Sequence, residues 1–476
     1  MFSGSITLDK DKIGLVIERH LTQSASGKIT EVLINTSKVT FGIAIILIPF
    51  RFRIDLLARP FPPVYKDFTD LLVYGPDVFI VITLLFWFAS LAVRQKRVQL
   101  KPWLISVPLM ALTIVSIISA FFSVDRIYSL YQSVRLVIFF GFFLFVLNEI
   151  NSIDQIIIPV AFSILFQAVV AITQTLEQSS VGLAFLQELS LDPKVSGISI
   201  VTAGNVRFLR AYGLTDHPNI LGGCLAFGLI LMAVWVLKTK EENLILAGSI
   251  FILGSISLFL TFSRSAWVGF FAGLILVTIL LLKNRKSPEL RKWFGLMLAG
   301  FISALPFFWQ YFPILGVRLG LNHSFTRVAT ETQSIDQRLT LITLANQIFA
   351  SHPITGIGVS AFPVALHLRV PFLPFDYQPP HFVLLDVAAE TGLFGALFYI
   401  LLIGLPWLIM WIRRKHIHFS VELVGASAAL LAITVVSIFD YYPWMLEAGR
   451  SWQWLLLGLW GGIYVLSVEK KKEHNG

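Results

Sequence analysis

Nine polar side chains in a largely apolar chain could do chemistry: Arg210, His217, Asn219, Arg264, Arg338, His381, Asp386, Glu390 and Asp440. A guanidinium is permanently charged, and its planar fork fits a phosphate. An imidazole titrates near neutrality and can take a proton from a poor nucleophile such as a hydroxyl. Together they suit a transfer with a diphosphate leaving group, which needs little general acid but needs cations where charge grows on the bridging oxygen. Each residue also has an ordinary reading. An arginine at the end of a membrane span snorkels to headgroups, and a lone histidine is most often a satisfied interfacial residue. Asp386 and Glu390, four apart, share a helix face and could simply hold neighbouring arginines or backbone. Gly392, Gly395 and the "NILGG" stretch read as sites of close helix packing.

The chain that must position these groups has 476 residues, 56% hydrophobic and 14% charged, with a mean hydropathy of +0.77. A soluble domain carries about a quarter charged residues, so the apolar surface belongs in a bilayer. The net charge of +9 is read as loop charge that sets topology, not as a nucleic-acid surface, because no basic groove interleaved with aromatics occurs. A single cysteine, Cys224, excludes an intrachain disulfide. The polar stretch 1–36 lacks the apolar centre of a signal peptide and is expected to be a cytoplasmic tail, partly an interfacial helix.

Apolar runs near the ~20 residues that cross a bilayer fall at 35–50, 71–93, 102–122, 128–147, 154–174, 218–237, 243–262, 265–282, 293–309, 383–412, 419–439 and 451–468. The expected fold is an all-α polytopic membrane protein of about twelve transmembrane helices. Lys and Arg collect in "RQKRVQLK", "KTKEEN", "KNRKSPELRK", "RRKHIH" and the tail 469–476, which places these segments and both termini inside. One loop objects, since "RFRIDLLARPFPPVYKDFTD" would put Arg51, Arg53, Arg59 and Lys66 outside. The organisation is then membrane helices over 37–174, 218–309 and 383–468, with outer segments at 175–217 and 310–382. In the large outer segment Leu341, Leu344, Ala345 and Ile348 recur at helical spacing, so an amphipathic helix is expected there, on the outer membrane face.

This topology, drawn from loop charge alone, gathers Arg210, His217, Arg264, Arg338, His381 and Asp440 on one side. Arg264, in a tight outer turn against the positive-inside bias, has the least reason to be a mere anchor. No metal set accompanies them; the one Asp-x-Asp, at Asp9 and Asp11, lies on the other face. Asp386 and Glu390 are expected to face the bundle interior or a polar cavity, since an ionised carboxylate facing lipid is costly. Transfer of a glycan from a polyprenyl diphosphate to a hydroxyl fits the set.

Three segments carry a family resemblance. "RAYGLTDHPNILGG", "TFSRSAWVG", and "QRLTLITLANQIFASHPITGIGVSAF" followed by "PHFVLLDVAAETGLFG" together resemble the O-antigen ligase and polymerase superfamily of bacterial envelope glycosyltransferases. The resemblance implies a helical fold of the type C glycosyltransferase class in the bacterial inner membrane, with a large periplasmic loop. It implies a metal-independent, inverting mechanism without cofactor. By position it makes His381 the catalytic base and puts Arg210 and Arg264 on the diphosphate, with His217, Asn219, Arg338, Glu390 and Asp440 as supporting candidates. The implied donor is an undecaprenyl-diphosphate-linked glycan, and the acceptor is lipid A-core or another glycan. Phe382 departs from the pattern, in which Asn, Ser or Gln follows the histidine. Two alternatives accompany this reading: a polysaccharide polymerase of the same superfamily, and a transporter of a small solute such as inorganic carbon. A transporter would carry charges near the midplane, where Arg135 and Glu390 are the nearest candidates. A purely structural subunit of an envelope complex would not depend on His381.

Overall fold

The computed structural model describes residues 10–203, 206–283, 287–318 and 329–473. Asp9, part of the loop "KNRKSPELRK", residues 319–328 of the large outer segment and the last three residues of the tail lie outside them. The chain starts with α1 (Lys10–Leu47), then a hairpin of β1 (Arg53–Leu57) and β2 (Leu71–Tyr74). Four helices follow: α2 (Gly75–Arg94), α3 (Trp103–Phe121), α4 (Arg126–Glu149) and α5 (Ile157–Glu177). A second hairpin, β3 (Ile200–Ala203) with β4 (Val206–Leu209), precedes α6 (Pro218–Lys238), α7 (Glu241–Leu260), α8 (Arg264–Lys283) and α9 (Ser287–Gln310). Then come α10 (Phe312–Arg318), α11 (Ala329–Ser351) and α12 (Phe362–Arg369). The chain ends with α13 (Val383–Ile412), α14 (Val421–Phe439), the short α15 (Tyr442–Met445) and α16 (Glu447–Glu473). Among the described residues twelve helices are long and apolar enough to cross a membrane: α1 to α9, α13, α14 and α16. The fold is an all-α polytopic membrane protein, as the apolar runs require.

Helix α6 is the centre of the bundle. Its apolar window is 94% buried, and it packs against α5, α7, α8, α14 and α16. Its sequence is apolar on every side, as a helix with no lipid-facing surface must be. Gly223 lets another element in: a Cβ there would overlap the Tyr442 hydroxyl at the start of α15. The expectation of close packing at "NILGG" is met at this position. Outer helices show lipid-facing side chains instead, such as Leu85, Ile114, Phe271 and Phe301.

Helix α13 is broken at Gly392, whose φ of 73° and ψ of −170° leave the helical region. A Cβ there would overlap the Ile354 carbonyl oxygen, so Gly392 is a backbone break rather than the packing glycine expected. The break frees helix groups, and the turn after α11 takes them up. Ile357 and Gly358 donate to the Ala389 and Glu390 carbonyls at 3.1 and 3.0 Å, and Leu393 donates to the Pro353 carbonyl at 2.8 Å. These bonds matter because a backbone group left unpaired in the low-dielectric interior would cost several kcal/mol. α11 also packs on α13, burying Leu341, Ala345 and Ile348. The amphipathic face was legible; its partner is protein.

The basic residues that contradicted the loop-charge rule are held by acids. Arg59 forms a bidentate pair with Asp125, both contacts at 3.0 Å. Arg51 and Arg53 meet Asp216 at 2.8 and 2.9 Å, and Lys66 lies 3.6 Å from Asp55. On the opposite end Lys238 bridges Asp154 and Glu422 at 2.7 and 2.6 Å.

Replacing Gly392 by Ala forces both a left-handed φ and a backbone overlap on a residue with a Cβ, which together cost several kcal/mol. Gly404→Ala, in the same helix with open space around it, should leave stability unchanged or raise it by about 0.5–1 kcal/mol. Thermal unfolding of both variants in detergent checks the contrast.

Candidate active site

A cavity of about 600 Å³ opens at one end of the bundle. Its wall comes from the connections after α1, after α5, between α9 and α13, and between α14 and α16. Counting only spans, these are the first, fifth, ninth and eleventh connections, so in an alternating bundle all lie on one side. The clusters Arg94–Lys101, Lys238–Lys240, Arg413–Lys415 and Lys470–Lys472 lie on the other. The volume is within the ~300–1,000 Å³ typical of small-molecule sites.

His381 stands just before α13, with its side chain 12% exposed, and its Nδ1 lies 3.4 Å from Asp440 Oδ1 at the end of α14. Asp440 is 3% exposed, and its second oxygen accepts from Asn219 Nδ2 at 2.8 Å. Asn219 Oδ1 in turn accepts from Arg210 Nη2 at 2.6 Å. The chain His381–Asp440–Asn219–Arg210 thus joins three segments distant in sequence. Burial alone would raise the Asp440 carboxyl, but His381, then Arg338 and His217, hold it below the ordinary aspartate value. It stays ionised to face the imidazole.

Arg210 lines the cavity yet is anchored throughout. Its Nε donates to the Thr261 carbonyl at 2.7 Å, and Nη1 donates to Ser199 Oγ at 2.7 Å. The turn before α8 is built for this. Phe262 is buried with φ of +49°, a costly conformation for a bulky residue. It sends two successive carbonyls toward two arginines: Thr261 to Arg210, and Phe262 to Arg318 Nε at 3.0 Å. Arg264 follows on this same turn, half-buried and outside the cavity wall. Arg318, from α10, is on the wall instead, as is Arg338 from α11. Sequence reading passed over Arg318 because it closes a short helix with no pattern to mark it.

His217 is the N-cap of α6 and accepts from Asn219 N through Nδ1 at 3.1 Å. Burial, followed by the Arg210 charge, pushes it down to about 3. A ring that is neutral and already accepting at Nδ1 is a cap, not a base for neutral pH.

Asp386 and Glu390 face the bundle interior, the first of the two settings expected, and do not line the cavity. Glu390 accepts from Phe362 N at 3.3 Å and Trp444 Nε1 at 2.8 Å, tying the turn before α12 to α15. Asp386 is wholly buried, and neither carboxylate oxygen has a hydrogen-bond partner among the described residues. Phe382 is the N-cap of α13 and gives no side-chain cap. That is where an Asn or Ser would satisfy an exposed N–H, typically for about 0.5–2 kcal/mol. Below the cavity, Arg135 pairs with Asp77 at 3.0 Å and with Glu447, itself on the cavity wall. Arg450 is buried against the Trp444 carbonyl and Gln132. These mid-chain charges are locked in structure. Among the described residues no group of three or more His, Cys, Asp or Glu is placed to hold a metal ion.

Comparison with known proteins bears on this site in two ways. No curated protein matches the chain. The family model described as O-antigen ligase matches residues 249–400, a stretch that contains Arg264, Arg318, Arg338, His381 and the α13 break, and stops short of Asp440. Over that stretch, and as a twelve-span helical bundle, the chain is similar to the O-antigen ligase family, which supports membership of that superfamily.

Proposed function

We propose that the chain moves a glycan from an undecaprenyl diphosphate carrier to an acceptor hydroxyl at the periplasmic face. The carrying observation is the pairing of His381 with an ionised, buried Asp440 on the wall of a cavity that Arg318 and Arg338 also line. Asp440 beside Nδ1 favours the tautomer protonated there, which leaves the Nε2 lone pair to accept the acceptor's proton. The acceptor oxygen bonds to the anomeric carbon as the carbon–oxygen bond to the diphosphate breaks, in one displacement with inversion. Negative charge arriving on the diphosphate meets fixed guanidinium groups, and Asp440 stabilises the imidazolium formed. Arg338 makes no ion pair or hydrogen bond among the described residues and fits the diphosphate role best. Arg210 acts through Asn219 on Asp440 and so is a positioning residue. The periplasmic assignment rests on the basic connections lying at the other end. Lipid A-core, another lipid or a second carrier-linked glycan could supply the hydroxyl.

His381→Ala should lower glycan transfer by about 10²–10⁴-fold, the usual worth of a positioned base, with carrier-linked glycan accumulating. Arg338→Ala should reduce transfer more than Arg264→Ala, and equal, wild-type transfer from the His381 and Arg338 variants would reject the assignment. Asn219→Leu should lower turnover with little change in apparent donor affinity, because it loosens Asp440 rather than the diphosphate site. For His217 the folded value lies below the ordinary 6.5, so protonation favours unfolding. Its contribution to stability is full above about pH 6.5 and fades as pH falls toward 3. Thermal unfolding across pH 3–7 should therefore show a shallower acid loss in His217→Asn, which keeps a capping side chain.

A further inference from the structure

We infer that Arg51 and Arg53 form a second seat for the donor's diphosphate, and that Asp216 is the carboxylate this diphosphate displaces. The inference rests on the reading above, that a diphosphate enters this cavity. It also names side chains outside the 249–400 region and outside the set that sequence reasoning singled out.

The geometry is that of an occupied anion site. Arg51 Nε meets Asp216 Oδ1 at 2.8 Å, and Arg53 Nη1 meets Asp216 Oδ2 at 2.9 Å. Two guanidinium groups thus span the two oxygens of one acid, as they would two oxygens of a phosphate. All three residues line the cavity that holds His381. The arginines are fixed while the acid is the most accessible member: the side chains of Arg53 and Arg51 are 6% and 19% exposed, that of Asp216 33%. Gln187 clamps the Arg53 backbone, accepting from its N at 3.1 Å and donating to its O at 3.0 Å. Arg51 N donates to the Leu214 carbonyl at 2.8 Å, and its Nη1 to the Gln187 carbonyl at 3.3 Å. Asp67, 2.7 Å from Arg53 Nη1, remains as counter-charge when Asp216 leaves.

Charge decides the exchange. A single carboxylate brings one negative charge to the pair of guanidinium groups, and a diphosphate brings two or more together with further acceptor oxygens. A clip between the two loops needs only one guanidinium on the acid, and here two are immobilised on it. Asp216 also directly precedes His217, Pro218 and Asn219. Its release therefore acts on the segment that holds Asp440 in place.

The test uses the full-length protein in nanodiscs and measures affinity for farnesyl diphosphate, with farnesyl monophosphate as reference. Asp216→Asn removes the competing charge at constant shape and should bind the diphosphate about tenfold tighter. Arg51→Gln and Arg53→Gln should each bind it about tenfold more weakly, with a smaller effect on the monophosphate. Unchanged or weaker binding by a stably folded Asp216→Asn would show a structural clip and overturn the inference. So would wild-type affinity in both arginine variants, which holds even where Asp216→Asn does not fold. Absence of diphosphate binding by the wild type would remove the diphosphate reading of the cavity as well. Tighter binding in Asp216→Asn, with no glycan transfer by the wild type, would leave this seat standing and reject the transferase.

Discussion

A buried negative charge at Asp440 is the constraint around which the site is organised. An ionised carboxylate out of water is tolerated only when opposite charge and hydrogen bonds replace its hydration. Asp440 has the Tyr441 N–H bonded to one oxygen at 3.1 Å and the Asn219 amide to the other at 2.8 Å, with the His381 imidazole 3.4 Å away and the more distant field of Arg338. Asn219 can present its amide only because its own oxygen is taken by Arg210. Arg210 in turn is oriented by the Thr261 carbonyl, in a turn that adopts a costly φ at Phe262. Strain far from the histidine is thereby converted into a fixed direction for one carboxylate.

The second requirement is that His381 be held at the mouth while its helix continues through the bundle. The break at Gly392 meets it. A straight α13 would have no free carbonyls at Ala389 and Glu390 for the turn after α11, and that turn would need other partners. With the break, the turn docks, α11 lies along α13, and Glu390 ties in Phe362 and Trp444. The buried Arg135–Asp77–Glu447 group below forms the floor. Removing one partner from such a group typically costs about 3–5 kcal/mol, so it is better understood as scaffold than as a transport path.

Much of this was legible in the chain. Apolar run length marks each of the twelve spans because bilayer thickness sets it directly. The α11 face showed because helical periodicity is local, and the gathering of Arg210, His217, Arg338, His381 and Asp440 at one end followed from counting crossings. What stayed hidden depends on pairing across long separations. Nothing near Arg51 announces Asp216, and nothing near Arg135 announces Glu447, 312 positions away. Gly392 looked like a packing glycine because a small residue serves both purposes, and only its φ separates them. Arg264 looked better placed than Arg318 because the turn was visible and the short helix α10 was not.

The cavity wall draws on residues as far apart as Arg51 and Glu447, and this has a consequence for biogenesis. During synthesis the early helices can enter the membrane while Asp440 is still unmade, so His381 and Arg210 have no common partner. The cavity wall is complete only when the last two membrane helices arrive. A chain stalled at the translocon before α14 lacks Asp440, so the links from His381 and Asn219 to one carboxylate close only near the end of synthesis.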